Sequence, residues 1–239
     1  MILPLRKCTA PNGTVLVVPD VPAAFCELAR RVLAVPTPAA RSLKSIALSG
    51  GPTARRCYEL LATLPPDQMP AWEGVHIFMT DERCVPIDHP DSNSGMVRDL
   101  LASRTAAPAT FHPMSCTAGA SAYAEELAPH LPLDLVHLGM GPDGHTASIF
   151  PGDTIFSGSH DRVPLVTMTA DAAGLNPHPR MTLTPVALDS ARLAIFTVSG
   201  DSKRDAVRAL LAGEAIPAAS VSADEVVFLV DPSAFGAVP

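Results

Sequence analysis

The chain has few aromatic residues, no basic run, no C-x-x-C pair and no apolar stretch of membrane-spanning length. Phe, Trp and Tyr make up only 5% of its 239 residues, although 47% are hydrophobic. Ala, Val and Leu must therefore fill the core. A formal net charge of −7 without any cluster of Lys or Arg excludes a nucleic-acid-binding or anionic-membrane surface. The five cysteines (Cys8, Cys26, Cys57, Cys84 and Cys116) are odd in number and widely scattered. That pattern reads as reduced thiols in a cytosol, not as a disulfide framework or a zinc site. The opening MILPLRKCTAPNGT has no apolar core of signal-peptide length. A cytoplasmic location is expected, with no nucleic-acid or membrane partner.

What the chain does have is alternation. TVLVV (14–18), SIALS (45–49), VHIFMT (75–80), LDLVHLG (133–139), VPLVTMT (163–169), RLAIFTVSG (192–200) and EVVFLV (225–230) read as strands. Helical patterns follow several of them. Asp20 is placed to cap a helix over DVPAAFCELARRVLA, and Gly213 to close one over DSKRDAVRALLAG. TARRCYELLATL (53–64), a short segment around Ser94–Leu101 and ASAYAEELAPH supply further helices. Continuous apolar strands between helices imply an α/β fold with a mostly parallel sheet covered on both faces. The linkers are short and uniform, so residues 1–239 read as a single domain, either a monomer or part of a small homo-oligomer.

In such a sheet, ligands bind beyond the carboxyl ends of the strands. Four segments there carry unusual residues. LSGGPTARR (48–56) passes from a strand through Gly50-Gly51 into a helix, whose first N–H groups suit an anion. A plain turn with Thr53 as the cap explains it equally well. MTDERCVPIDHPDSNSG (79–95) puts Asp81, Glu82 and Arg83 at a strand exit, and Ser92-Asn93 reads as the cap of the next helix. GMGPDGHTASIFPG (139–152) sets Asp143 two residues before His145 in a glycine-rich turn, so the carboxylate can orient the imidazole while the other ring nitrogen faces a ligand. His137, inside a strand, reads as a core residue. SGDSKRD (199–205) places Lys203 in a first helical turn, where a cation opposes the helix dipole unless an anion joins it. Arg180, before the apolar run in PRMTLT, has the same ambiguity. No second His or Cys stands at ligand spacing from His145, so no metal is expected.

Taken together, LSGGPT, FMTDERCVPIDHPDSN, LDLVHLGMGPDGHTASIFPG, PRMTLT and SGDSK stand in an order and spacing that resemble the 6-phosphogluconolactonases, over about Ile46 to Leu211. The resemblance implies a Rossmann-like three-layer α/β/α sandwich, shared with glucosamine-6-phosphate isomerases/deaminases. It also implies hydrolysis of 6-phospho-D-glucono-1,5-lactone in the pentose phosphate pathway without metal or organic cofactor. His145 matches the family's catalytic histidine, Asp143 its neighbouring carboxylate and Arg83 the arginine of its D-E-R motif. Ser49, Gly50, Gly51, Asp81, Gly141, Arg180 and Lys203 are expected to bind the sugar phosphate. Pro52 departs from the small residue usual there. In the deaminases a glutamate lies five residues after the glycine-loop histidine, where this chain has Phe150. That difference favours the lactonase over the deaminase. The Asp/His pair favours it over a non-catalytic sugar-phosphate sensor.

Overall fold

A computed structural model of the chain describes residues 3–35, 44–65, 67–70, 72–102, 109–153, 163–171, 174 and 177–236. In chain order its strands are β1 (Arg6–Ala10), β2 (Gly13–Val17), β3 (Lys44–Leu48), β4 (Val75–Met79), β5 (Asp81–Arg83), β6 (Thr110–Phe111), β7 (Leu135–Gly139), β8 (Val166–Thr169), β9 (Arg180–Leu183), β10 (Leu193–Val198) and β11 (Glu225–Val230). Eight form one sheet in the order β1-β2-β11-β10-β7-β3-β4-β6, and β5-β9-β8 form a second. From β2 to β6 every neighbouring pair in the large sheet is parallel. Only the hairpin of β1 on β2 runs antiparallel.

The parallel strands are apolar along their length because both faces are covered. β10 (LAIFTV) is buried at all six positions, and Val226–Val230 of β11 are buried as well. The α-helices are α1 (Val21–Ala34), α2 (Pro52–Ala62), α3 (Asn93–Val97), α4 (Ala120–Leu127), α5 (Pro185–Asp189), α6 (Arg204–Ala212), α7 (Pro217–Ser220) and α8 (Pro232–Phe235). Helix α1 starts where expected. The Asp20 carboxylate accepts from Ala23 N at 2.9 Å, and Pro22 occupies the first turn. Such a cap stabilises by about 1 kcal/mol. At the far end of α6, Gly213 takes the left-handed conformation (φ 74°) and donates to Ala209 and Leu210 carbonyls.

Four expectations require correction. The polar segment after β4 is not loop throughout, because β5 pairs with β9 in a small antiparallel sheet that also takes β8 out of the large one. Thr53 does not cap α2; Gly51 does, at φ 95° and without a side-chain bond. The short helix expected around Ser94–Leu101 ends at Val97, and a π-helical turn continues over Arg98–Ala102. Finally, the cysteines are not all thiols: Cys84 and Cys116 form a disulfide across 32 residues, while Cys8, Cys26 and Cys57 are free. The turn after β5 and the segment after β6 bring that pair to a Cα separation of 5.3 Å. No spacing rule in the sequence announces it.

Candidate active site

The carboxyl ends of β10, β7, β3 and β4 lie side by side, and a cleft of about 400 Å³ opens across them. Its lining follows the strand order. Thr197, Ser199, Ser202 and Lys203 come from the end of β10 and the turn into α6; Gly139, Met140, Gly141 and His145 come from the turn after β7. Ser49, Gly50, Gly51, Pro52, Thr53 and Ala54 come from the β3–α2 turn, and Asp81, Arg83, Asn93 and Arg180 close the other end. Every residue expected at the site therefore borders the cleft except Asp143, which stands behind His145.

The turn after β7 is held tightly. Gly141 N donates to His145 O at 2.8 Å, and Thr146 Oγ1 reaches back to Gly139 O at 2.9 Å. His145 Nδ1 lies 2.6 Å from Asp143 Oδ1, an acceptor that also takes His145 N at 3.2 Å. With Nδ1–H donated to the carboxylate, the lone pair sits on Nε2. The pair needs glycine beside it. A Cβ on Gly141 would stand 2.1 Å from His145 Nδ1 and 2.4 Å from Asp143 Oδ1. Two residues further on, Ala147 lines the cleft at φ 48°, a left-handed conformation that side-chain-bearing residues rarely hold outside functional turns.

Period-two alternation in β5 separates its three charged residues. Asp81 and Arg83 face the cleft. Glu82 turns away, and its carboxylate accepts from Arg83 N, Asn93 N, Ser94 N and Ser92 Oγ, fixing the start of α3. Burial raises the Glu82 pKa against the opposing hydrogen bonds from Ser94, Asn93 and Arg83. Ser92 caps α3 as expected, through a bond from Gly95 N. Asn93 does something the sequence did not signal: its Oδ1 accepts from Arg83 Nη1 at 2.7 Å and its Nδ2 donates to Asp81 O at 3.0 Å. Ser148, read only as part of the glycine segment, donates to Asp81 Oδ2 at 2.6 Å.

Arg83 and Arg180 are directly opposite one another in the β5–β9 pair. Like charges in that relation are mutually destabilising unless something negative lies between or over them. Asp81 is one such group, with Oδ2 3.5 Å from Arg180 Nη1 and both side chains less than a tenth exposed. It answers one cation of two. Burial lowers the Arg180 pKa, with the Asp81 carboxylate opposing the shift and Arg83 adding to it. Across the cleft, burial also lowers the Lys203 pKa, opposed by the Asp143 carboxylate. The cleft is thus cationic at both ends, with an oriented imidazole between them, in a protein of net negative charge.

His137 stands one strand-turn away from His145 and is a different kind of residue. Its ring is fully buried, bonded to Tyr58 Oη at 2.8 Å and Thr197 Oγ1 at 2.9 Å. Burial holds its pKa down at about 3, so it stays neutral and acts as packing. Phe150 is buried with its ring centroid 5.2 Å from that of His145.

The family profile described as "Glucosamine-6-phosphate isomerases/6-phosphogluconolactonase" matches residues 20–229. A 6-phosphogluconolactonase of Synechocystis sp. is 39% identical over 193 residues, which cover 75% of this chain and 76% of that one. Among solved structures, the 6-phosphogluconolactonase of Trypanosoma brucei superposes with a TM-score of 0.78 at 27% identity, over 98% of each chain. That of Thermotoga maritima gives 0.75 at 27% identity, covering 91% of this chain and 98% of its own.

Proposed function

The chain belongs to the glucosamine-6-phosphate isomerase/6-phosphogluconolactonase family, and we propose that its cleft hydrolyses 6-phospho-D-glucono-1,5-lactone with His145 as the general base. The relatives named above are 6-phosphogluconolactonases, and a lactonase is what this cleft is equipped to be. The observation that carries the mechanism is the 2.6 Å Asp143–His145 contact opening onto a cleft with cations at both ends.

A lactone is an activated ester. Its hydrolysis needs a positioned water, a base and charge stabilisation for the oxyanion that forms at C1. His145 Nε2 takes a proton from the water as its oxygen bonds to C1. Asp143 stabilises the imidazolium and keeps the ring oriented. The tetrahedral intermediate then collapses, the C1–O5 bond breaks, and His145 returns the proton to O5. The ring opens to 6-phosphogluconate, whose new carboxyl group ionises. At the β10 end, Lys203, the hydroxyls of Ser199 and Ser202 and the Ser49–Gly51 turn hold the phosphate. The N–H groups of Thr53 and Ala54, in the first turn of α2, have no intrahelical acceptor and point the helix dipole at the cleft. Pro52 donates no N–H and keeps that turn in shape. At the other end, Arg83 and Arg180 stabilise the charge developing on the lactone, with Asp81 and Asn93 setting their positions. Gly141 supplies the close backbone approach to the imidazole.

The chain contains no G-x-S-x-G turn, which argues against a Ser-His-Asp covalent route. Side chains from both sheets meet in the cleft, which supports residues 1–239 acting as one catalytic domain. The net charge of −7, with no basic run in the sequence, supports a small-molecule enzyme of the cytoplasm with no nucleic-acid or membrane partner. No helix among the described residues is long and apolar enough to cross a membrane. One comparison tests the assignment: proton release from 6-phosphogluconolactone against ammonia release from glucosamine 6-phosphate. The lactone reaction is expected to run and the deamination to be undetectable, since Phe150 cannot transfer a proton. Robust ammonia release without lactone turnover overturns the reading.

A further inference from the structure

At the β4–β6 edge of the large sheet, outside the cleft, three imidazoles meet. His76 is the second residue of β4, whose opposite end leads to Asp81 in the cleft. His112 directly follows β6, and His130 closes the 3-10 turn that ends α4. One nitrogen from each of the three lies within 4.8 Å of the other two. His76 Nδ1 and His112 Nε2 are 2.8 Å apart, and the His76 and His130 rings lie tilted with centroids separated by 4.2 Å. His112 is nearly buried, stacked on Phe78 at 4.2 Å. On its other side, His112 Nδ1 contacts Glu126 Oε1 of α4 at 2.6 Å.

This arrangement is not what an apolar sheet edge needs. Glu126 fixes the His112 tautomer, because a carboxylate accepts from an N–H and so leaves the Nε2 lone pair to accept from His76 Nδ1–H across 2.8 Å. A carboxylate holding the remote nitrogen of an imidazole while its near nitrogen faces a cluster of donors is the second layer of a histidine metal centre. We propose that His76, His112 and His130 bind a divalent transition-metal ion, with Glu126 orienting His112. Three imidazole ligands favour Zn²⁺ and its first-row neighbours over Mg²⁺ or Ca²⁺, which prefer oxygen ligands. Zinc–nitrogen bonds of about 2.0–2.1 Å in a tetrahedron place ligand nitrogens about 3.4 Å apart. The ion therefore replaces the His76–His112 hydrogen bond. The separation opens by about half an ångström, within reach of side-chain rotation. The proton of His76 Nδ1 is lost to solvent while Nε2 takes one up, leaving a neutral ligand with its lone pair on Nδ1. Water completes the tetrahedron from the half-buried side, where His76 and His130 are not fully covered. The ion ties β4, the segment after the two-residue strand β6 and the end of α4 together. This site is independent of the lactonase chemistry, which uses the other end of β4.

The test uses the whole chain, stripped with a chelator and dialysed. Titration with Zn²⁺ alone is expected to show one tight equivalent by calorimetry and a higher Tm, and Co²⁺ is expected to give the visible absorption of a tetrahedral nitrogen site. His130→Asn and His76→Ala each remove that equivalent, while Glu126→Gln weakens it about 10- to 100-fold. His178→Ala leaves it intact, although His178 Nε2 also contacts a carboxylate, Asp91 Oδ2, at 3.1 Å. The wild-type titration and the Co²⁺ spectrum depend on no variant, so poor folding of a variant does not decide the question. Absence of Zn²⁺ binding at 100-fold molar excess overturns the proposal. So does an equivalent that survives in folded His130→Asn, or one that disappears in His178→Ala.

Discussion

Two carboxylate–imidazole pairs in this molecule have the same 2.6 Å contact, Asp143 with His145 and Glu126 with His112. In both, the carboxylate fixes the proton on Nδ1 and leaves the lone pair on Nε2. The difference lies in what Nε2 faces. For His145 it is a cleft of about 400 Å³ at the carboxyl ends of four parallel strands, with Lys203 at one end and Arg83 and Arg180 at the other. For His112 it is His76 at 2.8 Å, on the edge of the sheet. His137 completes the series, since it has no carboxylate and both its nitrogens are taken by Tyr58 and Thr197. A carboxylate fixes an imidazole's tautomer and direction. The neighbour beyond the other nitrogen decides what that lone pair can serve.

The largest effect is expected where the contrast is sharpest. His145→Asn keeps a polar side chain of similar reach but cannot take a proton, so kcat should fall by about 10²–10⁴-fold while binding of 6-phosphogluconate and the folded far-ultraviolet spectrum are kept. Lys203→Ala is expected to come next. Loss of one charge-assisted bond of about 1.5–3 kcal/mol weakens 6-phosphogluconate binding about 10- to 150-fold. Unphosphorylated gluconate should lose little, and equal losses for both ligands would remove Lys203 from the phosphate site. The same residue carries a pH signature. Burial lowers its pKa, and an ammonium binds an anion only below that pKa. Affinity for the phosphate thus declines as pH rises through a value below the usual lysine range, a limb that Lys203→Ala should lack. Smallest of all is the effect of Glu126→Gln on kcat, expected to be under about twofold. A large loss of kcat in that variant would erase the distinction between the two pairs.

The segments legible in the sequence were those governed by local chemistry. Asp20 and Gly213 mark helix ends because capping needs one particular side chain or one particular φ. The buried strands β3, β7, β10 and β11 announce themselves as apolar runs, and the cleft follows from where those runs end. The remainder depends on contacts far apart in the chain. Strands β5 and β6, of three and two residues, are too short to show a period, and β5 exists only because β9 returns beside it 99 residues later. Asn93 was hidden behind Ser92, which fills the capping role the sequence assigned to both. The Cys84–Cys116 bond and the meeting of His76, His112 and His130 have no sequence spacing to betray them: the turn after β5 meets the segment after β6 in the first, and β4, the end of β6 and the end of α4 meet in the second.

The base assignment stands or falls on the pH dependence of kcat/KM for the lactone, measured for the wild-type protein and His145→Asn and corrected at each pH for spontaneous hydrolysis, which accelerates in alkali. A protonated imidazole cannot accept a proton from water, so the wild-type rate should fall on the acid side of the profile, and the variant should show a low rate without that limb. A variant that retains both the corrected wild-type rate and its acid limb would place the base elsewhere, with Asp81 the first candidate.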